Sequence, residues 1–165
     1  MNKIYLILFI ASTTYIPLIT SAFAASKTTS AKFTGIDYSG VYSCVGSNAK
    51  IGNYELLVTF LINKSHSHGN LGRYDLNVET ENSITYRGQA IVNGRDMALT
   101  IEMVDGNTMT YSTGIARLMQ FKNKRFSYIN RYYESNQITN NLETNNTGNY
   151  GSENCVKLKV KTSAS

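Results

Sequence analysis

Beyond residue 37, apolar side chains recur at every second position over most of the chain, the period of a strand with one face toward a core. From Tyr54 to Ile62 the even positions read Tyr, Leu, Val, Phe and Ile. In the next run Tyr74, Leu76 and Val78 share one face, and Arg73, Asp75, Asn77 and Glu79 share the other. A fourth run puts Ile84, Tyr86, Gly88, Ala90 and Val92 inward against Thr85, Arg87 and Gln89. Asn93-Gly94 ends it with a strong hairpin signal. The fifth run sets Met97, Leu99, Ile101 and Met103 against Thr100 and Glu102, and Asp105-Gly106 turns the chain again. Runs from Met109 to Met119 and from Phe126 to Tyr133 follow, joined through Lys122-Asn-Lys124. No stretch of this region carries the 3.6-residue period of an amphipathic helix.

An opening run, Tyr38-Ser-Gly-Val-Tyr-Ser-Cys44, and a closing one, Cys155 to Val160, bring the expected strands to eight. Short turns join most of them, the pattern of a meander. Eight antiparallel strands are enough to close a barrel whose interior holds side chains or one small ligand. The expected fold is therefore all-β, an eight-stranded antiparallel up-and-down barrel, with a two-sheet β-sandwich as the alternative. The faces of the last run conflict with this scheme. With Val156, Leu158 and Val160 inward, Cys155 faces outward, and Cys44, Tyr42 and Tyr38 face outward with it. A bulge at Gly40, or a strand that starts after Cys155, would relieve the conflict.

The N-terminus has a different character. Lys3, an apolar run from Ile4 to Ile10 with further apolar residues to Ile19, and Ala22-Phe-Ala24 have the layout of a secretory signal peptide over residues 1–24. Polar Ser12, Thr13 and Thr14 interrupt the run and no stop-transfer charges follow, so the segment is not expected to span a membrane. Residues 25–36 read as a flexible Ser/Thr/Lys/Ala leader, 37–161 as one β-barrel domain and 162–165 as a tail. Export, to the periplasm or outside the cell, suits the cysteine count. Cys44 and Cys155 are the only two, and in an oxidising compartment two cysteines pair. Barrel closure brings the first and last strands together, as that disulfide requires.

Charge and motifs narrow the function more by exclusion than by assignment. Sixteen Lys and Arg against eleven Asp and Glu make the full chain modestly basic. The positive charges are scattered, apart from Lys157, Lys159 and Lys161, so a nucleic-acid partner is not expected. There is no G-x-S-x-G, no H-E-x-x-H, no phosphate-cradling glycine loop and no Cys–His pair free of the bridge. No catalytic residue, enzyme activity or cofactor is assigned. His66-Ser-His68 has two imidazoles on one face if extended, but no third ligand nearby in sequence, and no metal is assigned. The ligand-binding candidates are inward tyrosines, Tyr54, Tyr74, Tyr86, Tyr128 and Tyr132, together with Arg117 as an inward donor for an anion. The polar connection from Asn136 to Ser152 reads as either a lid at the barrel mouth or a disordered loop.

Four stretches, Tyr38-Ser-Gly-Val-Tyr-Ser-Cys44, Gly52-x-Tyr54, Tyr86-x-Gly88 and Gly151-Ser-Glu-Asn-Cys155, carry a resemblance when set in this meander. The mature chain resembles a small exported bacterial barrel of the calycin type, the group holding lipocalins and avidins. Where lipocalins place G-x-W near the start of strand one, this chain has Gly40-Val41-Tyr42, and it contains no Trp. The resemblance implies binding without catalysis and does not name what is bound; the inward tyrosines and the long loop point to a small or elongated apolar ligand in the lumen or at the mouth. The competing expectation is an interaction or inhibitor protein that uses its loops, around His66–Gly69 and Asn136–Ser152, or its outer surface. Small periplasmic barrels that block lysozymes are the analogy for it.

Overall fold

A computed structural model describes residues 31–105, 108–123, 125–135 and 148–159. The expected signal peptide, residues 25–30 of the expected leader, and the tail lie outside the described residues. Eight strands form: β1 Gly40–Asn48, β2 Gly52–Ile62, β3 Leu71–Thr80, β4 Thr85–Asn93, β5 Asp96–Asp105, β6 Thr108–Gln120, β7 Phe126–Glu134 and β8 Asn149–Lys157. Each pairs antiparallel with its sequence neighbours, and β8 pairs with β1, so the sheet is a closed up-and-down barrel. Closure satisfies the backbone groups that an open sheet would leave on its edges. No described helix is long and apolar enough to cross a membrane.

The period-two pattern places its apolar positions inward on β2 through β5, as the sequence predicts. Val58, Phe60, Tyr74, Leu76, Val78, Ala90, Val92, Met97 and Leu99 are all buried. Ile84 is the exception: it precedes β4 in the turn from β3 and is 48% exposed. The β4–β5 hairpin pairs Asn93 with Asp96 around Gly94-Arg95. Gly94, at φ 61°, takes the first central position, where a II′ turn calls for glycine.

The ends of the sheet correct the sequence reading. β8 begins six residues earlier than the expected run and stops at Lys157. Cys155 and Asn149 point inward and are buried, Tyr150, Ser152 and Asn154 point outward, and Leu158 lies past the strand, 41% exposed. Val160 lies outside the described residues. With β8 so placed, Cys44, Tyr42 and Tyr38 are buried rather than outward-facing, and the conflict between the faces disappears without a bulge. Cys44 and Cys155 are direct register partners across the β1–β8 seam, bonded, with their Cα atoms 4.0 Å apart.

Of the two barrel ends, one is filled. Tyr38, Tyr42, Phe60, Tyr74, Phe126 and Tyr128 pack there with ring centroids 4.9–6.0 Å apart, mostly edge to face, the arrangement that ring quadrupoles favour. Their hydroxyls are bonded. Tyr42 donates to the Tyr38 carbonyl (2.8 Å), Tyr38 to the Gly94 carbonyl (2.8 Å) and Tyr74 to the Ile36 carbonyl (3.2 Å). Residues 31–36 lie near the same end. Phe33 bridges to Gly69, and the Thr34 N–H donates to the Gly69 carbonyl at 2.8 Å.

Candidate functional site

The opposite end is where the β1–β2 and β3–β4 turns lie and where β7 ends and β8 begins. There the described residues leave a cavity of about 320 Å³ in the lumen. Among the described residues the interior differs along the axis: one half is packed and the other encloses the cavity. The two sides of the cavity differ in chemistry. Strands β2 to β5 line one with Leu56, Val58, Leu76, Val78, Leu99, Ile101 and Met103. Strands β6, β7, β8 and β1 supply Ser112, Tyr128, Tyr132, Glu134, Glu153 and Asn48 on the other.

The polar side is organised around Glu153. Across the sheet Tyr54 pairs with Gly46, Gly46 with Glu153 and Glu153 with Asn130, so these four share one register row. Gly46 makes the row work because the Tyr54 ring lies over it, where any Cβ would collide with the ring. That lets the Tyr54 hydroxyl reach past β1 and donate to Glu153 Oε1 at 3.0 Å. Asn130 Nδ2 donates to Glu153 Oε2, also at 3.0 Å. The Tyr132 and Tyr54 hydroxyls are 2.7 Å apart, and Asn48 Nδ2 donates to the Tyr132 hydroxyl at 3.0 Å. With Tyr54 donating onward to the carboxylate, protons point along one chain, Asn48 to Tyr132 to Tyr54 to Glu153. Asn48 is itself fixed by the β1–β2 turn, since its Oδ1 accepts from the Lys50 and Ile51 N–H groups at 3.0 and 2.9 Å.

Burial raises the Glu153 pKa, and the nearby Glu134 carboxylate raises it further. The bonds from Asn130 and Tyr54 stabilise the anion and oppose both. The Tyr54 hydroxyl is pushed far above its ordinary range by burial, then by the negative field of Glu153. Tyr128 is also raised by burial. Its hydroxyl lies 3.6 Å from Cys44 Sγ and is the donor there, because a disulfide sulfur carries no proton. Asn130 Oδ1 is buried with no hydrogen-bond partner, as is Ser127 Oγ.

Of the residues expected to bind, Tyr54, Tyr86, Tyr128 and Tyr132 line the cavity. Tyr74 points inward but belongs to the packed end, where its hydroxyl is committed to residues 36 and 38. Arg117 is a correction. It lies on the outward face of β6, its side chain 75% exposed and 3.6 Å from Asp96, because the inward positions of that strand are Ser112, Gly114, Ala116 and Leu118. His66 turns its ring to Asn63 Oδ1 (2.9 Å), and no group of three metal-ligating side chains assembles among the described residues. Within the expected mouth loop, residues 149–152 belong to β8, and residues 136–147 lie outside the described residues.

Sequence reasoning missed Glu153, Asn130 and Asn48. For Glu153 a signal was present: counting back by twos from Cys155 gives Glu153, Gly151 and Asn149 on the cysteine's own face. No family model matches this chain, and neither does any curated protein or solved structure with which it was compared.

Proposed function

We propose that this chain is a non-catalytic, exported binding protein that holds one small ligand with an apolar body in the open half of its barrel. The observation that carries the reading is the one-ended cavity of about 320 Å³. That lies at the small end of the range for ligand sites. At roughly 30 Å³ per water it has room for about ten water-sized groups. The packed aromatic end acts as a floor, and the Leu56, Val78, Leu99 and Ile101 wall supplies apolar contact. The closed eight-stranded meander supports a calycin-like assignment, and the Cys44–Cys155 bond supports an oxidising compartment reached through the expected signal peptide. Calorimetric titration of the mature protein with octan-1-ol tests the reading. One site per chain is expected, and Val78→Trp, which fills the cavity from β3, should abolish it. If the unmodified protein takes up neither octan-1-ol nor any co-purified molecule seen by native mass spectrometry, lumen binding is refuted.

A second reading, interaction with another protein, draws on the outer face. Ile91, Ala98 and Ile115 stand in one cross-strand row, with Ile115 71% exposed, and Ile129, 47% exposed, lines the same surface groove. Apolar patches of this kind mark contact surfaces. Sedimentation of the wild type and of Ile115→Asp decides whether the face joins copies of this chain: a dimer lost in the variant supports it, and two monomers refute it.

A further inference from the structure

We propose that the head group of the lumen ligand is a protonated amine, with Glu153 as its counter-ion. The inference rests on the lumen-binding reading and specifies its chemistry. The charge of the cavity runs against that of the chain. The full sequence has a formal charge of +5, yet the charged residues lining the cavity are all acidic: Glu134 and Glu153 face inward and Glu55 and Glu81 are exposed, with no Lys, Arg or His among the described lining residues. A cleft of one sign with low-dielectric walls concentrates counter-ions of the other sign.

Glu153 has a form suited to such a contact. Two of the roughly four acceptor positions of a carboxylate are taken, one by Tyr54 and one by Asn130, which fix its orientation. The remainder belong to a side chain that lines the cavity. No described cation balances it, and its raised pKa follows from that burial and from Glu134. An ammonium group would supply the missing charge and the missing donors. The tyrosines lining the polar side add ring faces, to which cations are attracted. An anionic head, such as a fatty acid carboxylate, would instead meet Glu153 and Glu134 and no positive partner among the described lining residues.

The test uses three probes of equal length on the mature, disulfide-bonded protein at pH 7: octylamine, octan-1-ol and octanoate. Calorimetry should show octylamine binding about tenfold or more tighter than octan-1-ol, the size of effect a buried charge-assisted hydrogen bond produces. Octanoate should bind more weakly than the alcohol. In Glu153→Gln, the ratio of amine to alcohol affinity should fall to near one. Equal binding of the three probes, or a wild-type ratio that survives in the variant, overturns the amine assignment and leaves lumen binding standing. No binding of any probe, with no co-purified molecule in native mass spectrometry, overturns lumen binding itself, and the amine assignment with it. The wild-type series stands alone if Glu153→Gln does not fold.

Discussion

Reducing the Cys44–Cys155 bond should cost this barrel several kcal/mol without dissolving it. The bridge spans 111 residues of sequence. In the chain-entropy model a crosslink that long lowers the entropy of the denatured chain enough to stabilise the fold by about 4.8 kcal/mol at 25 °C. Little else at the seam depends on it. β1 and β8 are paired from Tyr42–Lys157 to Asn48–Gly151, so the ladder remains when the sulfur bond is gone. In Cys44→Ser/Cys155→Ser, the new hydroxyl at position 44 has the Tyr128 hydroxyl within reach, which limits the cost of the added polar atoms. A net loss of about 3–5 kcal/mol is expected. With a guanidinium m-value of about 3 kcal/mol/M, the unfolding midpoint drops by about 1–1.7 M. The assay is far-UV circular dichroism through a guanidinium titration, run on the oxidised protein, the reduced protein and the double variant. The native spectrum should be unchanged in all three. A midpoint shift below about 0.3 M would refute the reasoning, since it would mean that the denatured chain already holds its ends together. Two titratable thiols in the unreduced, denatured protein would refute the bridge.

Other consequences follow from the lumen and its packed end. Because the Glu153 pKa is raised above its ordinary 4.5 by burial, the folded state holds that proton more tightly than the unfolded chain does. Its contribution to stability is therefore full below about pH 4.5 and is lost as pH rises through the folded pKa. Glu153→Gln should accordingly be more stable than wild type at pH 7, by about 1.4 kcal/mol for each pH unit of elevation, and not at pH 4; thermal unfolding at the two pH values measures it. Gly46→Val must push the Tyr54 ring off β1 and break its bond to Glu153, costing about 1–3 kcal/mol in a denaturant titration. Tyr74→Phe leaves the buried Tyr38 N–H without its 3.2 Å acceptor and should cost about 1–3 kcal/mol by the same measurement.

How much of this was legible in the sequence varies from strand to strand, for one physical reason. Alternation reports the buried face only where that face is apolar. On β2 to β5 the inward residues are mostly Leu, Val, Phe, Met, Ile, Ala and Tyr against a mostly polar outer face, so strand and interior face followed from the period. The pairing of Cys44 with Cys155 followed from their number and from closure. On β6 and β8 the lumen wall is polar or small: Ser112, Gly114 and Ala116 on one, Asn149, Gly151 and Glu153 on the other. Their outer faces carry Tyr111, Ile115, Met119 and Tyr150, so the pattern is inverted and hydrophobicity points the wrong way. That inversion placed Arg117 among the lumen candidates and hid Glu153. Only the closed sheet decides such faces, because β1 and β7 hold β8 in register whatever its own side chains prefer. The same closure sets Tyr54, Gly46, Glu153 and Asn130, far apart in sequence, in one row across four strands.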